Sequence, residues 1–168
     1  MSFVVREALP SEYAALGEIT AAAYRDVGET DEPYYAELRD VARRAAHVPI
    51  LVAVDAGSGR VVGGVAYVPA PGPFHESSRA DHASFRMLAV AAEARGRGIG
   101  RALVEACLER ARSEGRAGVE VVTRPFMTAA HRLYESMGFV REPAADWEFE
   151  PGQWLLGYRI GFEAPAGH

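Results

Sequence analysis

Residues 85–103 read FRMLAVAAEARGRGIGRAL, and the fold turns on this stretch. Its first six residues, Phe85 to Val90, form a β-prone run. After a short connector, Arg95-Gly96-Arg97-Gly98-Ile99-Gly100 opens into an amphipathic helix pattern. Leu103, Val104, Cys107, Leu108 and Ala111 fall on one stripe of that pattern, with Glu105, Glu109 and Arg112 outside it. Glycines at a helix entrance let the chain turn tightly and leave the first backbone N–H groups uncovered. Those donors, the positive end of the helix dipole and the side chains of Arg95, Arg97 and Arg101 converge on one place. Such a convergence is a site for phosphate.

Other phosphate-binding loops fit this stretch less well. A Walker loop needs Gly-x-x-x-x-Gly-Lys-Ser/Thr, and the chain has no such Lys-Ser/Thr pair. A dinucleotide fingerprint needs a third glycine, but that position is Arg101 counted from Gly96 and Leu103 counted from Gly98. Glu120 lies about 20 residues on, near where a ribose-binding acid is sought, yet inside the next strand and not at its end.

The chain has 168 residues, which suits one domain over residues 1–168 with a real core. Its net charge of −5 argues against a nucleic-acid partner, since the arginines gather locally between positions 95 and 116. Cys107 is the only cysteine and sits on the apolar stripe, so it reads as core filler in a reducing compartment. No secretory leader is visible at the start, and no apolar run approaches the ~20 residues that span a bilayer. A cytoplasmic protein without a membrane partner is expected. His47, His75, His82, His131 and His168 are scattered, so no metal site is expected.

Strands are predicted at residues 3–6, 50–54, 61–68, 85–90, 119–123, 139–141 and 154–162. Helices are predicted from residue 10 to about 27, from Pro33 to about His47, after Gly98 as far as Gly115, and over residues 128–137. The turn Asp55-Ala56-Gly57-Ser58-Gly59 marks a hairpin. Residues 69–84 form a long irregular piece, a length that is usually functional or mobile. Residues 144–153, AADWEFEPGQ, read as an acidic aromatic loop.

The spacing Arg95-x-x-Gly98-x-Gly100 resembles the pyrophosphate loop of the GNAT (general N-acetyltransferase) superfamily. A second segment, TAAHRLYESMGF at residues 128–139, is similar to the fourth helix of that family, with Ala130, Leu133-Tyr134-Glu135 and Gly138-Phe139 at matching positions. The element order β-α-α-β-β-β-α-β-α-β-β also matches. The resemblance implies an α/β fold: a mixed six- to seven-stranded sheet flanked by about four helices, with two splayed central parallel strands. It implies acetyl-CoA as co-substrate between those strands, here residues 85–90 and 119–123. Leu88, Ala89 and Val90 would offer backbone to the pantetheine arm, and Arg95, Gly96, Arg97, Gly98, Ile99, Gly100 and Arg101 would hold the phosphates. Tyr134 would protonate or hydrogen-bond the departing thiolate. A homodimer is compatible with the resemblance.

Two positions depart from the family pattern. Met127 replaces an asparagine that many members have seven residues before the tyrosine, and Ser84 stands where many carry a Glu or His base. A hydroxyl is a poor base at neutral pH, so the proton of the amine goes to water or to Glu120, His82 or Asp81. The implied activity is acetyl transfer to a primary amine by direct attack, and the alternative is an acyl-CoA-binding module without turnover. Asp31, Glu32, Asp146, Glu148 and Glu150, with Trp147, Phe149 and Trp154, lie in segments expected to line the acceptor side. They point to a small cationic or amphipathic amine.

Overall fold

The computed structural model describes residues 2–163. Contacts divide the chain into two compact units, each built from two stretches of sequence. One joins the residues up to Tyr67 to Arg86–Cys107, and the other joins Val68–Phe85 to the residues from Leu108 onward. The strands form one mixed sheet of eight, and β4 contributes to both units.

The first unit begins with β1 (Phe3–Glu7), a single 3-10 turn at Pro10–Glu12, and α1 (Tyr13–Asp26). Next come α2 (Glu32–Arg39), α3 (Val41–Ala45), β2 (Ile50–Asp55) and β3 (Val61–Val68). After β4 (His82–Val90), whose second half belongs here, the chain enters α4 (Ile99–Ser113). Strand order is β1-β2-β3-β4, with β1 and β3 antiparallel to β2. Every residue of β2 is buried, as expected of a near-continuous apolar strand covered on both faces. α1 lies close on β3: a Cβ at Gly64 would stand 2.5 Å from Leu16 Cδ1. Within β3, a Cβ at Gly63 would stand 2.8 Å from the Ala89 carbonyl oxygen, so glycine there permits β4 to come near.

The predicted single helix from Pro33 to His47 is two helices. Asp40 ends α2 and begins α3, its carboxylate accepting the Arg43 N–H at 3.2 Å. A side chain that satisfies the backbone locally competes with continued helix. The other elements follow the predicted spans within a few residues.

The second unit contains the start of β4, β5 (Gly118–Thr123), α5 (Thr128–Ser136), β6 (Val140–Arg141), β7 (Trp147–Glu150) and β8 (Gln153–Gly161). β5 runs parallel to β4 through His82↔Gly118 and Ala83↔Val119, and antiparallel to β8 over six register pairs. Gly138 closes α5 with φ +98, the left-handed turn that a C-cap requires. The acidic aromatic loop expected at residues 144–153 instead contains a short strand, β7. β7 pairs β8 through Trp147↔Leu155 and Glu148↔Trp154, with the turn made at Gly152, φ +77.

Candidate active site

The sequence after β4 folds into a turn that exposes backbone. Ala94 is buried and anchors the single 3-10 turn Ala92–Ala94. The chain then passes through Gly96 at φ +84 and Gly98 at φ +79, conformations that favour glycine. A Cβ at either glycine would meet no atom within 4 Å, so the outer side of the loop is open. Ile99 is buried beneath the loop. The Gly98 carbonyl accepts the Ala102 N–H at 3.0 Å, so residues 99–101 precede the first intrahelical donor and leave their N–H groups without an intrahelical acceptor. This open, donor-rich cradle fits a diphosphate group. Arg95 pairs with Asp26 at 3.0 Å and Arg97 with Asp55 at 3.5 Å.

β4 differs from a regular strand at one residue. Met87 has φ +58, the left-handed geometry of a bulge, in a buried non-glycine residue. Beyond it, the Ala91 N–H bonds to the Val62 carbonyl of β3 at 2.8 Å. Backbone groups alternate along a strand, so Ala89 also turns to β3 while Leu88 and Val90 present theirs to the opposite edge. Of the three residues expected to offer backbone, Leu88 and Val90 therefore have the suitable direction.

Tyr134 is buried in an aromatic cluster of the second unit. Its ring centroid lies 5.7 Å from Phe85, 5.5 Å from Phe139 and 6.0 Å from Tyr158. Tyr158 donates to Glu135 Oε1 at 3.4 Å and stacks on His131. Burial, reinforced by the Glu135 charge, pushes the Tyr158 hydroxyl above its ordinary pKa.

Glu120 is fully buried and ties down the long segment after β3. Its Oε1 accepts from Ser78 N at 2.6 Å, Ser78 Oγ at 2.9 Å and Ser77 Oγ at 3.2 Å. Arg79 Nε stands 3.5 Å from Oε2. These partners went unnoticed in the sequence, where Ser77-Ser78-Arg79 is 41 residues or more away and looks like any polar loop. Asp81 and His82 form another closed set. His82 Nε2 is 2.8 Å from Arg159 Nε, which only donates, so the ring hydrogen is on Nδ1 and points to Asp81 at 2.8 Å. That hydrogen bond, the largest cause, holds the Asp81 carboxyl below its usual pKa.

The acidic residues expected to line the acceptor side have different surroundings. Asp146 binds Arg141 through both oxygens at 2.8 Å and also accepts the Gly157 N–H at 2.8 Å. Its charge is thereby matched within the protein. Trp147 and Trp154 are exposed on the β7–β8 hairpin. Arg124 lies over Phe126 and Phe149, 4.9 and 5.0 Å from their centroids. Among the described residues, no group of three or more His, Cys, Asp or Glu side chains could hold a metal ion. No helix among them is long and apolar enough to cross a membrane. His168 lies outside the described residues.

The chain is similar to known N-acetyltransferases. Rat N-acetyltransferase family 8 member 2 is 36% identical over 104 residues, 62% of this chain and 45% of that protein. Rat N-acetyltransferase 8 is 41% identical over 81 residues, 48% of this chain and 35% of that protein. The chain thus spans less than half the length of these curated relatives. A GCN5-related N-acetyltransferase from Kribbella flavida superposes with TM-score 0.70 at 28% identity, covering 95% of this chain and 98% of that one. The yncA structure from Salmonella typhimurium, solved with its cofactor acetyl-CoA, superposes with TM-score 0.67 at 20% identity over 99% and 98% of the two chains. Residues 13–139 match the Acetyltransferase (GNAT) family, which takes in both signature segments and the strand between them. The chain is a member of the GNAT acetyltransferase family.

Proposed function

We propose that this protein transfers the acetyl group of acetyl-CoA to a primary amine of a small acceptor by direct attack on the thioester. The observation that carries the reading is the loop of residues 95–101. Two left-handed glycines leave its outer side open just where a helix begins. In this reading the N–H groups of residues 99–101 and the side chains of Arg95, Arg97 and Arg101 bind the diphosphate of CoA. Leu88 and Val90 pair with the amide-bearing arm as an added strand does. Holding amine and thioester together supplies much of the rate, and a strand N–H near Val90 supports the oxyanion.

Tyr134 is the proposed general acid toward the departing sulfur. Proton removal from the amine falls to water or to Glu120. The bonds already made to Glu120 Oε1 direct that role to Oε2, where no hydrogen bond is made. His82 is a weaker candidate, because Arg159 occupies its Nε2.

The test is thiol release from acetyl-CoA with a panel of amines, alongside calorimetric binding of CoA. Acetyl transfer predicts amine-dependent thiol release and CoA binding. Tight CoA binding without thiol release from any amine refutes the transfer reading in favour of a binding module.

A further inference from the structure

Both tryptophans of the chain, Trp147 and Trp154, lie on the β7–β8 hairpin, and they are 56% and 43% exposed. Large apolar side chains gathered outside the core mark contact surfaces, and tryptophan carries much of the binding at such surfaces. The register sorts the two to different faces. Trp147 stands opposite Leu155 and Glu148 opposite Trp154, and residues directly opposite share a face. On the first face the Trp147 and Phe149 rings are 6.3 Å apart, and Arg124 lies over Phe149. On the second, Trp154 has a carboxylate as its neighbour.

The acidic residues of this region differ in what balances them. Arg79 pairs with Glu142 at 3.1 Å, and Arg141 holds Asp146. Glu148 and Glu150 are exposed and make no ion pair among the described residues. The Gly152 N–H, 3.0 Å from Glu148 Oε2, orients that carboxylate without cancelling its charge. Cβ atoms of directly opposed residues are about 5 Å apart, so the Glu148 carboxylate adjoins the Trp154 indole. An ammonium or guanidinium placed there gains an ion pair and a cation–π contact together. Arg124 makes this kind of contact inside the molecule, over Phe126 and Phe149, while donating to Gln153 at 2.9 Å. Among the described residues β7 pairs with β8 alone, so its other edge carries no ladder.

We propose that the β7–β8 hairpin docks an extended, basic segment of a protein partner, with a lysine or arginine of that segment laid over Trp154 against Glu148. A segment running beside the outer edge of β7 sends successive side chains to the two faces of the hairpin. Trp147 and Trp154 thereby join one contact although they face opposite ways. The unbalanced charge of Glu148 and Glu150 selects a basic segment over an acidic one. This surface stands apart from acetyl transfer and does not depend on it.

The test titrates the protein with capped peptides that alternate Lys, Gln or Glu with Thr. Because both tryptophans are on this hairpin, their emission reports this surface, and calorimetry gives the affinity. The Lys peptide is expected to change the emission saturably and to bind at least about 10-fold more tightly than the Gln peptide. The Glu peptide binds more weakly still. Trp154→Ala lowers the affinity for the Lys peptide about 10-fold and Glu148→Gln about threefold, with native circular dichroism. The inference is overturned if the Lys peptide leaves the emission unchanged, if the Gln or Glu peptide matches it, or if both variants bind as the parent does. Where the Lys peptide fails, an emission change with anionic vesicles assigns the tryptophans to a membrane, and sedimentation as a dimer assigns them to a second copy. The comparison of peptides on the parent protein stands even where a variant fails to fold.

Discussion

At the scale of single residues, the roles proposed for Gly98 and Tyr134 separate binding from chemistry. Gly98 combines φ +79 with open space where a Cβ would go. The Cβ of Gly98→Val therefore meets no atom within 4 Å, but the substitution strains the backbone by roughly 1–2 kcal/mol and places a side chain over the open loop. Calorimetry should show CoA affinity reduced at least about 10-fold while circular dichroism stays native, and unchanged affinity would displace the phosphate site from this loop. Tyr134→Phe keeps the ring among Phe85, Phe139 and Tyr158 and removes only the hydroxyl. Its kcat should fall about 100-fold with CoA binding intact, as for loss of a general acid. An unaltered kcat with chemistry rate-limiting would leave Tyr134 a packing residue. The sequence singled out both positions because their signals are local: glycine spacing at a helix mouth, and a tyrosine inside a short motif. Met87 was not singled out, since nothing about methionine announces a left-handed φ; the close packing of Tyr35 and Leu38 around it imposes the conformation.

At the scale of elements, the last strands depend on Arg141 and Asp146. The guanidinium grips both Asp146 oxygens and the Gly157 carbonyl at 2.6 Å, while Asp146 takes the Gly157 N–H. One ion pair thus fastens the segment between β6 and β7 onto β8. The hydrogen bond from Arg141, the largest cause, holds the Asp146 carboxyl below its usual pKa. A depressed acid contributes stability above its unfolded value, about 3.9, and loses that contribution as pH falls through the lower folded value. Asp146→Asn should therefore destabilise the protein at pH 7 by on the order of 1 kcal/mol, discounted because Arg141 is partly solvated. The corresponding drop in Tm is about 2–4 °C, and the gap from the parent should close in the acid range below about pH 4. A gap independent of pH would remove the ion pair as its cause. The β7 strand that this pair helps position was missed in the sequence because Trp147-Glu148-Phe149-Glu150 is a brief alternation in an acidic, glycine- and proline-marked stretch. The break between α2 and α3 was missed for a similar reason: ELRDVARRA holds no glycine or proline, and Asp40 interrupts it by capping.

At the scale of the whole molecule, the two compact units are woven from alternating stretches of sequence, so each needs chain from both sides of the β4 region. A ligand that binds the folded chain alone stabilises it by mass action, about 2.7 kcal/mol at a hundredfold excess over Kd. CoA at that excess should raise Tm by about 5–10 °C, read by differential scanning fluorimetry, and no rise would contradict binding to the native state. The rise should shrink with added salt, because the proposed contacts are ionic. Arg95 and Arg97 each hold an aspartate of the same chain, Asp26 and Asp55. In the proposed binding, a phosphate arriving at the loop would therefore exchange one anion for another. Because the aspartates are tethered, their effective concentration is high without any free ligand. A singly charged anion has little to offer in that exchange, whereas a diphosphate brings more charge to the same donors. If the loop binds the cofactor as proposed, the two internal pairs would act as a threshold of charge density, and the loop would discriminate among anions before any other part of the cofactor is read.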